Sequence, residues 1–411
     1  MQTKKNIFLW TLYDFANSIV SIVFFLYFAQ WVVVDRGVSD IYFNLTFTIS
    51  AILLFCTAPL IGSLLDKSFR RITGLRYTTL FTTVFYGICA FFAISNREIN
   101  ALIFFTLGLY SYILSFTFYT PLLNDIAPPA KRGLVSGLGI TANYLGQFAG
   151  LLIALPFSNG SLNFFDSGPR VETLLPSIVI FFILSLPMLL FFKEPKHSSE
   201  KLFLKSEIAS LLAKTKALLS FHSVTLFLIS YFLFNDAILT AANNFPIFLE
   251  QVWHVSDTVK TYILLGILIT SAIGGTLSGL LADRFGHKRT LLFVLSGWVI
   301  ILPLVGLLNN FTLFVIATTI MGFWFGANWA VSRSVMAYVA PVGRHNLAFA
   351  YFGLAERASS FVGPIVWGLV VSNLISFGSN RYRIAVLAMT FFIILGLIAL
   401  SRIKDDRKLT H

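Results

Sequence analysis

Charge is what this chain has least of. Only 12% of its 411 residues are Asp, Glu, Lys or Arg, 57% are hydrophobic, and the mean hydropathy is +0.81. Such a composition cannot cover a water-soluble globule of this length, so lipid is the expected solvent. Cysteine is almost absent: Cys56 and Cys89 both lie inside apolar runs, which excludes a disulfide framework and a cysteine metal site. No Walker loop or nucleotide-binding glycine fingerprint occurs, so ion gradients rather than ATP are the expected energy source, and no cofactor or metal is expected. The six histidines, His197, His222, His254, His287, His345 and His411, fall in loops or at the ends of runs without a nucleophile beside them, which argues against an enzyme. The net charge of +12 does not indicate nucleic acid, because the basic residues gather in alternate loops between apolar runs. The first apolar run lacks a small-residue cleavage site, carries Asp14 and Asn17 and exceeds twenty residues, so it reads as a retained span.

What the chain does have is a series of runs matching the ~20 residues that cross about 30 Å of hydrocarbon. Twelve are predicted, at roughly 8–34, 44–65, 75–95, 100–124, 133–157, 174–193, 223–250, 260–283, 288–308, 311–336, 345–372 and 382–402. The fold class expected is therefore all-α, with twelve transmembrane helices in two pseudo-symmetric six-helix bundles. The bundles would span 1–193 and 223–411, joined by a polar linker at 194–222. Within the linker, Leu202, Ile208, Leu211 and Leu212 recur at helical spacing, which predicts an amphipathic helix on the membrane surface.

Orientation follows from the 30 Lys and Arg residues. Loops of one parity hold 22 of them and loops of the other hold six; Arg333 and Arg357 fall within spans. The crowded side is the expected cytoplasmic face and carries both termini. A slipped span would scramble this split, so the tally also supports the count of twelve.

One loop signature occurs twice, 217 residues apart, as Gly62-Ser-Leu-Leu-Asp66-Lys67 and as Gly279-Leu-Leu-Ala-Asp283-Arg284-Phe-Gly286-His-Lys288-Arg289. Its glycines permit close backbone approach, and its aspartates suit the positive N-terminus of a neighbouring helix. The second copy resembles the loop after the second helix of each half in the major facilitator superfamily of transporters. That resemblance implies a gating latch on the cytoplasmic side, formed by Gly62, Asp66, Gly279, Asp283, Arg284 and Gly286. Asp283 would face the start of the fifth span and Asp66 that of the eleventh. Asp283→Asn is then expected to favour the cytoplasm-open state, with altered transport and cytoplasmic accessibility as the readout.

A charge at the centre of a span costs about 2.5–3.5 kcal/mol on insertion scales, so the few that occur mark sites of use. They are Asp14, Asp236, Arg333, Glu356 and Arg357, with Asp125 at the end of span 4. By resemblance, spans 1, 4, 7 and 10 line the central cavity, which puts Asp14, Asp125, Asp236 and Arg333 on cavity helices. Asp236 and Glu356 lie near midplane and are the candidates for a protonatable coupling site, with buried structural ion pairs as the alternative. Tyr13, Asn17, Asn143, Asn235 and Trp329 add polar and aromatic groups on the same spans, suited to an amphipathic organic solute. Gly137, Gly146 and Gly150 match most of the helix-5 pattern of superfamily antiporters, and Gly363-Pro364 predicts a bend in span 11.

A narrower resemblance runs through both halves. Trp10-Thr-Leu-Tyr13-Asp14-Phe15-Ala16-Asn17-Ser18 is similar to the opening of the vacuole effluxer family, and Phe234-Asn235-Asp236-Ala237 resembles its span 7 element. Asn143-Tyr144-Leu-Gly146, Ser332-Arg333-Ser334 with Pro341, and Phe352-Gly353-Leu-Ala-Glu356-Arg357 through Gly363-Pro364 are similar to spans 5, 10 and 11. The resemblance implies a monomeric secondary transporter in the lipid bilayer that moves a small-molecule substrate, amino-acid-like first, by alternating access with protons as the coupling ion. A drug, siderophore or metabolite exporter is the alternative within transport. A transport-inactive sensor or a membrane-bound lipid enzyme is the alternative outside it.

Overall fold

The computed structural model describes residues 2–67, 70–127, 132–194, 216, 218–341 and 345–403. All regular structure among them is helical. Eleven of these helices are long and apolar enough to cross a membrane. α1 (Gln2–Val23) runs on through two π-helical stretches, Phe24–Phe28 and Trp31–Asp35. α2 (Asp40–Lys67), α3 (Arg71–Ile94), α4 (Glu98–Tyr119), α5 (Arg132–Ser158) and α6 (Leu174–Phe191) follow. Then come α7 (His222–Trp253), α8 (Asp257–Phe285), α9 (His287–Leu307) and α10 (Phe311–Val339). The eleventh expected span is not one continuous helix. It consists of α11 (His345–Ala358) and α12 (Gly363–Asn373), interrupted at 359–362, and α13 (Asn380–Ser401) completes the series. Pro364 explains the interruption: it lacks the N–H that a continuous helix would donate to Ser360, and its ring collides with that carbonyl. The surface helix expected at 201–216 lies outside the described residues except for residue 216.

Two compact units divide the chain, 1–207 with 254–261 and 208–253 with 262–411. Lipid tails are as apolar as leucine, so close packing and hydrogen bonds rather than water exclusion hold each unit together. In the first unit, α1 packs on α5 and α6, and α4 packs on α2 and α3. Gly146 and Gly150 form the α1–α5 contact. A Cβ on Gly150 would lie 2.7 Å from Ile22 Cγ2 and 3.0 Å from the Ile19 carbonyl, while one on Gly146 would run into the Phe15 carbonyl. Gly137 meets nothing, and Gly139, against the Trp10 ring, takes its place in the packed face. Phe24 stacks on Tyr86 at 4.1 Å and Phe28 on Phe105 at 4.6 Å, filling the core near the π-helical end of α1.

The α3 start is held by charge. Both carboxylate oxygens of Glu194 accept from the first backbone N–H groups of the helix, Arg71 at 3.1 Å and Ile72 at 3.0 Å. The Arg71 guanidinium then reaches Asp125 at 3.0 Å. In the second unit, α7 packs on α13, and α9 packs on α10 and α13. α8 and α10 touch backbone to backbone, since any Cβ on Gly322 or Gly326 would collide with the Ile267 or Ser271 carbonyl, and Ser271 Oγ donates to the Gly322 carbonyl at 2.9 Å. Arg383 donates to the Gly306 and Leu308 carbonyls at 2.7 and 2.8 Å, satisfying the C-terminal end of α9.

Candidate transport site

In the first unit the four expected residues sit on two adjacent helices. Asp14 is buried on α1, and Asn143 on α5 donates to it at 3.4 Å while accepting from Gln147, one turn further, at 2.7 Å. Tyr13 turns the other way, into a hydrogen bond of 2.7 Å with Thr79 on α3. Trp10 and Tyr119 stack at 4.7 Å, and each donates to the other's backbone carbonyl, which pins α1 to the end of α4. Asn17, one turn beyond Tyr13, is 1% exposed, and among the described residues its amide makes no well-formed hydrogen bond beyond its interaction with the Tyr13 side chain. A buried amide in that state costs about 1–3 kcal/mol, which sequence patterning alone does not justify.

The second unit repeats this theme on a larger scale. The Asp236 carboxylate on α7, 1% exposed, accepts from three consecutive backbone N–H groups, Phe361 at 3.0 Å, Val362 at 3.1 Å and Gly363 at 2.6 Å. It therefore caps the first turn of α12 from a different helix. Asn235 donates at 3.5 Å to the Glu356 carbonyl, and the Glu356 side chain meets Arg333 of α10, also at 3.5 Å, a long ion pair whose members are 24% and 42% exposed. Arg357 follows Glu356 directly, on a different face of the helix. The same helices carry buried polar atoms without hydrogen-bond partners among the described residues: Tyr231 Oη, Asn235 Oδ1, Thr240 Oγ1, Ser332 Oγ and both amide atoms of Asn328. Trp329 contacts Phe325 at 4.8 Å between ring centroids. Arg333 thus pairs with Glu356, and Asp125 pairs with Arg71.

The second copy of the loop signature lies among the described residues. Asp283 and Arg284 are exposed at the end of α8, and Gly286, with φ of +96°, makes the left-handed turn into α9 that a glycine favours. With Ala282, His287, Lys288 and Tyr338 these residues line a cavity of about 210 Å³. Gly279 has open space where a Cβ would be, so its neighbour Gly274, rather than Gly279 itself, makes the tight contact with α10. Gly62 and Asp66 fall in the last turns of α2, and their surroundings lie outside the described residues, as does the start of α5 that Asp283 was expected to face.

The sequence gives little notice of one charged group in the first unit. Arg170 donates through Nε and Nη2 to Asp257 at 2.9 and 3.2 Å and through Nη1 to Asp35 at 2.6 Å. Lys260, whose side chain is fully buried, meets Asp257 at 2.8 Å and Gln30 Oε1. Read singly, Arg170 and Lys260 are loop charges of the sparse face. The one local hint is the Asp257–Lys260 spacing of three at a helix start. Glu172 was likewise silent: it is 1% exposed and accepts from the backbone N–H groups of Phe164, Phe165 and Ser167, organising the loop between α5 and α6.

Comparison with known proteins agrees with this architecture. The Vacuole effluxer Atg22 like family matches residues 124–411, and the Major Facilitator Superfamily matches residues 2–151. An uncharacterized MFS-type transporter, YxiO, of Bacillus subtilis is 23% identical over 97% of this chain and 94% of its own. A Lactococcus lactis homolog of the multi-drug resistance efflux pump PmrA is 25% identical over 96% of this chain and 94% of its own. The nucleoside transporter NupG shares the fold with a TM-score of 0.75 at 12% identity, covering 97% of this chain and 99% of that one. Helix series, split eleventh span and family matches converge: the chain belongs to the vacuole effluxer Atg22-like family of major facilitator transporters.

Proposed function

We propose that this major facilitator-type membrane transporter carries a small, amino-acid-like organic solute by alternating access, as proton-coupled export or exchange, with both termini in the cytoplasm. The observation that carries the reading is the set of buried polar groups on α7 and α10 that have no hydrogen-bond partner among the described residues, above all the amide of Asn328. A chain with 12% charged residues that keeps such groups in apolar helices uses them for something that arrives and leaves. Within the second unit the Arg333–Glu356 pair adds one charge of each sign, which matches a solute bearing both an acid and an amine. Protons are the coupling ion that intramembrane carboxylates such as Asp14, Asp236 and Glu356 serve most directly.

The test is solute-dependent proton flux in liposomes containing the purified full chain, with individual amino acids as solutes and an imposed pH gradient. Coupled flux with at least one amino acid is the expected result. Solute movement insensitive to the gradient would remove protons from the reading. The second reading, a drug or metabolite exporter, is favoured by the full-length similarity to the efflux pump homolog. It predicts accumulation of hydrophobic dyes and no amino-acid flux.

A further inference from the structure

We infer that Asp236 is a proton-operated clasp on the broken span: its ionised carboxylate holds the start of α12 against α7, and taking up a proton releases it. The inference rests on the proton-coupled reading above and says what the proton would do. Phe361 donates to Oδ1, and Val362 and Gly363 both donate to Oδ2, so three donors converge on one acceptor group. Pro364 has no N–H, so these three groups are the last donors before the helix proper begins. Gly363 allows the approach. A Cβ there would collide with Thr240 Oγ1 and come within 3.0 Å of the Asp236 carbonyl. α11 closes on its own side of the gap, with Ser359 donating through both N and Oγ to the Ala355 carbonyl. The two helices are therefore joined by a short segment whose far end Asp236 fastens to α7, while α12 beyond it packs on α13.

An acceptor with a full charge suits donors that cannot be satisfied within their helix. When a proton from the aqueous side adds to either oxygen, the carboxylate becomes a neutral acid whose new O–H is a donor facing at least one N–H. Charge-assisted attraction is lost and a donor–donor contact replaces it. Among the described residues no charged side chain other than Asp236 takes part in the clasp, so its state is set by this carboxylate. The ionisable groups on the elements packed around it are His222, Tyr231 and Glu250 on α7, Arg333 and Tyr338 on α10, and His345, Tyr351, Glu356 and Arg357 on α11. On α13 they are Arg381, Tyr382 and Arg383 at the start and Arg402 at the end. Arg333 and Glu356 pair with each other, and Arg383 is committed to the α9 carbonyls.

Amide hydrogen exchange of the full chain in lipid nanodiscs, corrected for the intrinsic pH dependence of exchange, reads the clasp without any knowledge of the solute. In the wild type, protection at residues 361–363 is expected to fall by at least about tenfold as pH drops through the titration of the carboxylate. Asp236→Asn is expected to be unprotected there at every pH, and Asp236→Glu to restore some of the pH dependence. Wild-type protection that stays flat with pH overturns the clasp, and so does full protection in Asp236→Asn. If Asp236→Asn does not fold, the wild-type pH series alone decides. PH-dependent protection without proton-coupled flux in liposomes would leave the clasp standing and remove the transport reading, so the two failures are told apart.

Discussion

Single residues in this protein divide into those whose hydrogen bonds are spent and those whose bonds are open. Asp14, Tyr13 and Asp236 were all picked out as polar groups in apolar runs, yet each is bound within its own unit, to Asn143, to Thr79 and to the start of α12. Asn328 and Ser332 on α10, by contrast, lie fully buried with side chains that have no hydrogen-bond partner among the described residues. Residue type alone does not separate these cases, because a polar side chain reads the same whether its partner is a helix end or a solute. The contrast can be measured. Asn328→Leu removes an unsatisfied amide at little change in size, so thermal unfolding in detergent is expected to show unchanged or higher stability, by up to about 1–3 kcal/mol. Solute transport by the same variant is expected to fall about tenfold or more, the loss of one good hydrogen bond to the solute. Equal losses in stability and transport would instead mark Asn328 as a structural residue.

At the scale of helices, the ends are where this chain spends its scarce charge. Glu194 holds the first two N–H groups of α3, Asp236 holds those of α12, and Arg383 covers the last carbonyls of α9. Each device joins residues far apart in sequence, so local capping patterns do not reveal them. Glu194→Ala leaves two α3 donors open while the Arg71 guanidinium keeps its pairing with Asp125, and is expected to destabilise the protein by about 1–2 kcal/mol. Thermal unfolding of the purified chain checks this, with Glu194→Gln, which keeps one acceptor oxygen, losing less. The lengths and number of the spans were readable because each apolar run must cross one bilayer. The break in span 11 was half readable: Gly363-Pro364 announces a bend, but whether a bend becomes a gap depends on what receives the freed N–H groups.

For the whole molecule, the notable feature is the segment 254–261, which comprises the connection after α7 and the first residues of α8 yet groups with the first unit. The Arg170, Asp35, Asp257, Lys260 and Gln30 group is what holds it there. Lys260 sits wholly buried in this group, so removing its charge leaves Asp257 desolvated with Arg170 as its remaining cation. Lys260→Met is accordingly expected to destabilise the protein by about 2–3 kcal/mol, less than a fully orphaned buried charge would cost. The double variant with Asp257→Asn is expected to recover part of that loss. Denaturation of the four proteins of this cycle checks both values, and additive losses would mean that Lys260 and Asp257 do not interact.

The amino-acid sequence by itself determined that the chain lives in lipid, how often it crosses and which family pattern it follows. Those properties depend on composition and on run length against a fixed bilayer thickness, both of which are local sums. Only the tertiary structure decided which rare polar groups are occupied: that Asp236 fastens a broken helix, that Arg333 meets Glu356, that Lys260 is buried with Asp257, and that the Asn328 amide has no hydrogen-bond partner among the described residues. Those facts depend on which residues, tens to hundreds of positions apart, come within about 3 Å of each other. Hydrophobic patterning sets where a helix runs, and hydrogen-bond partnership is settled only when the helices meet.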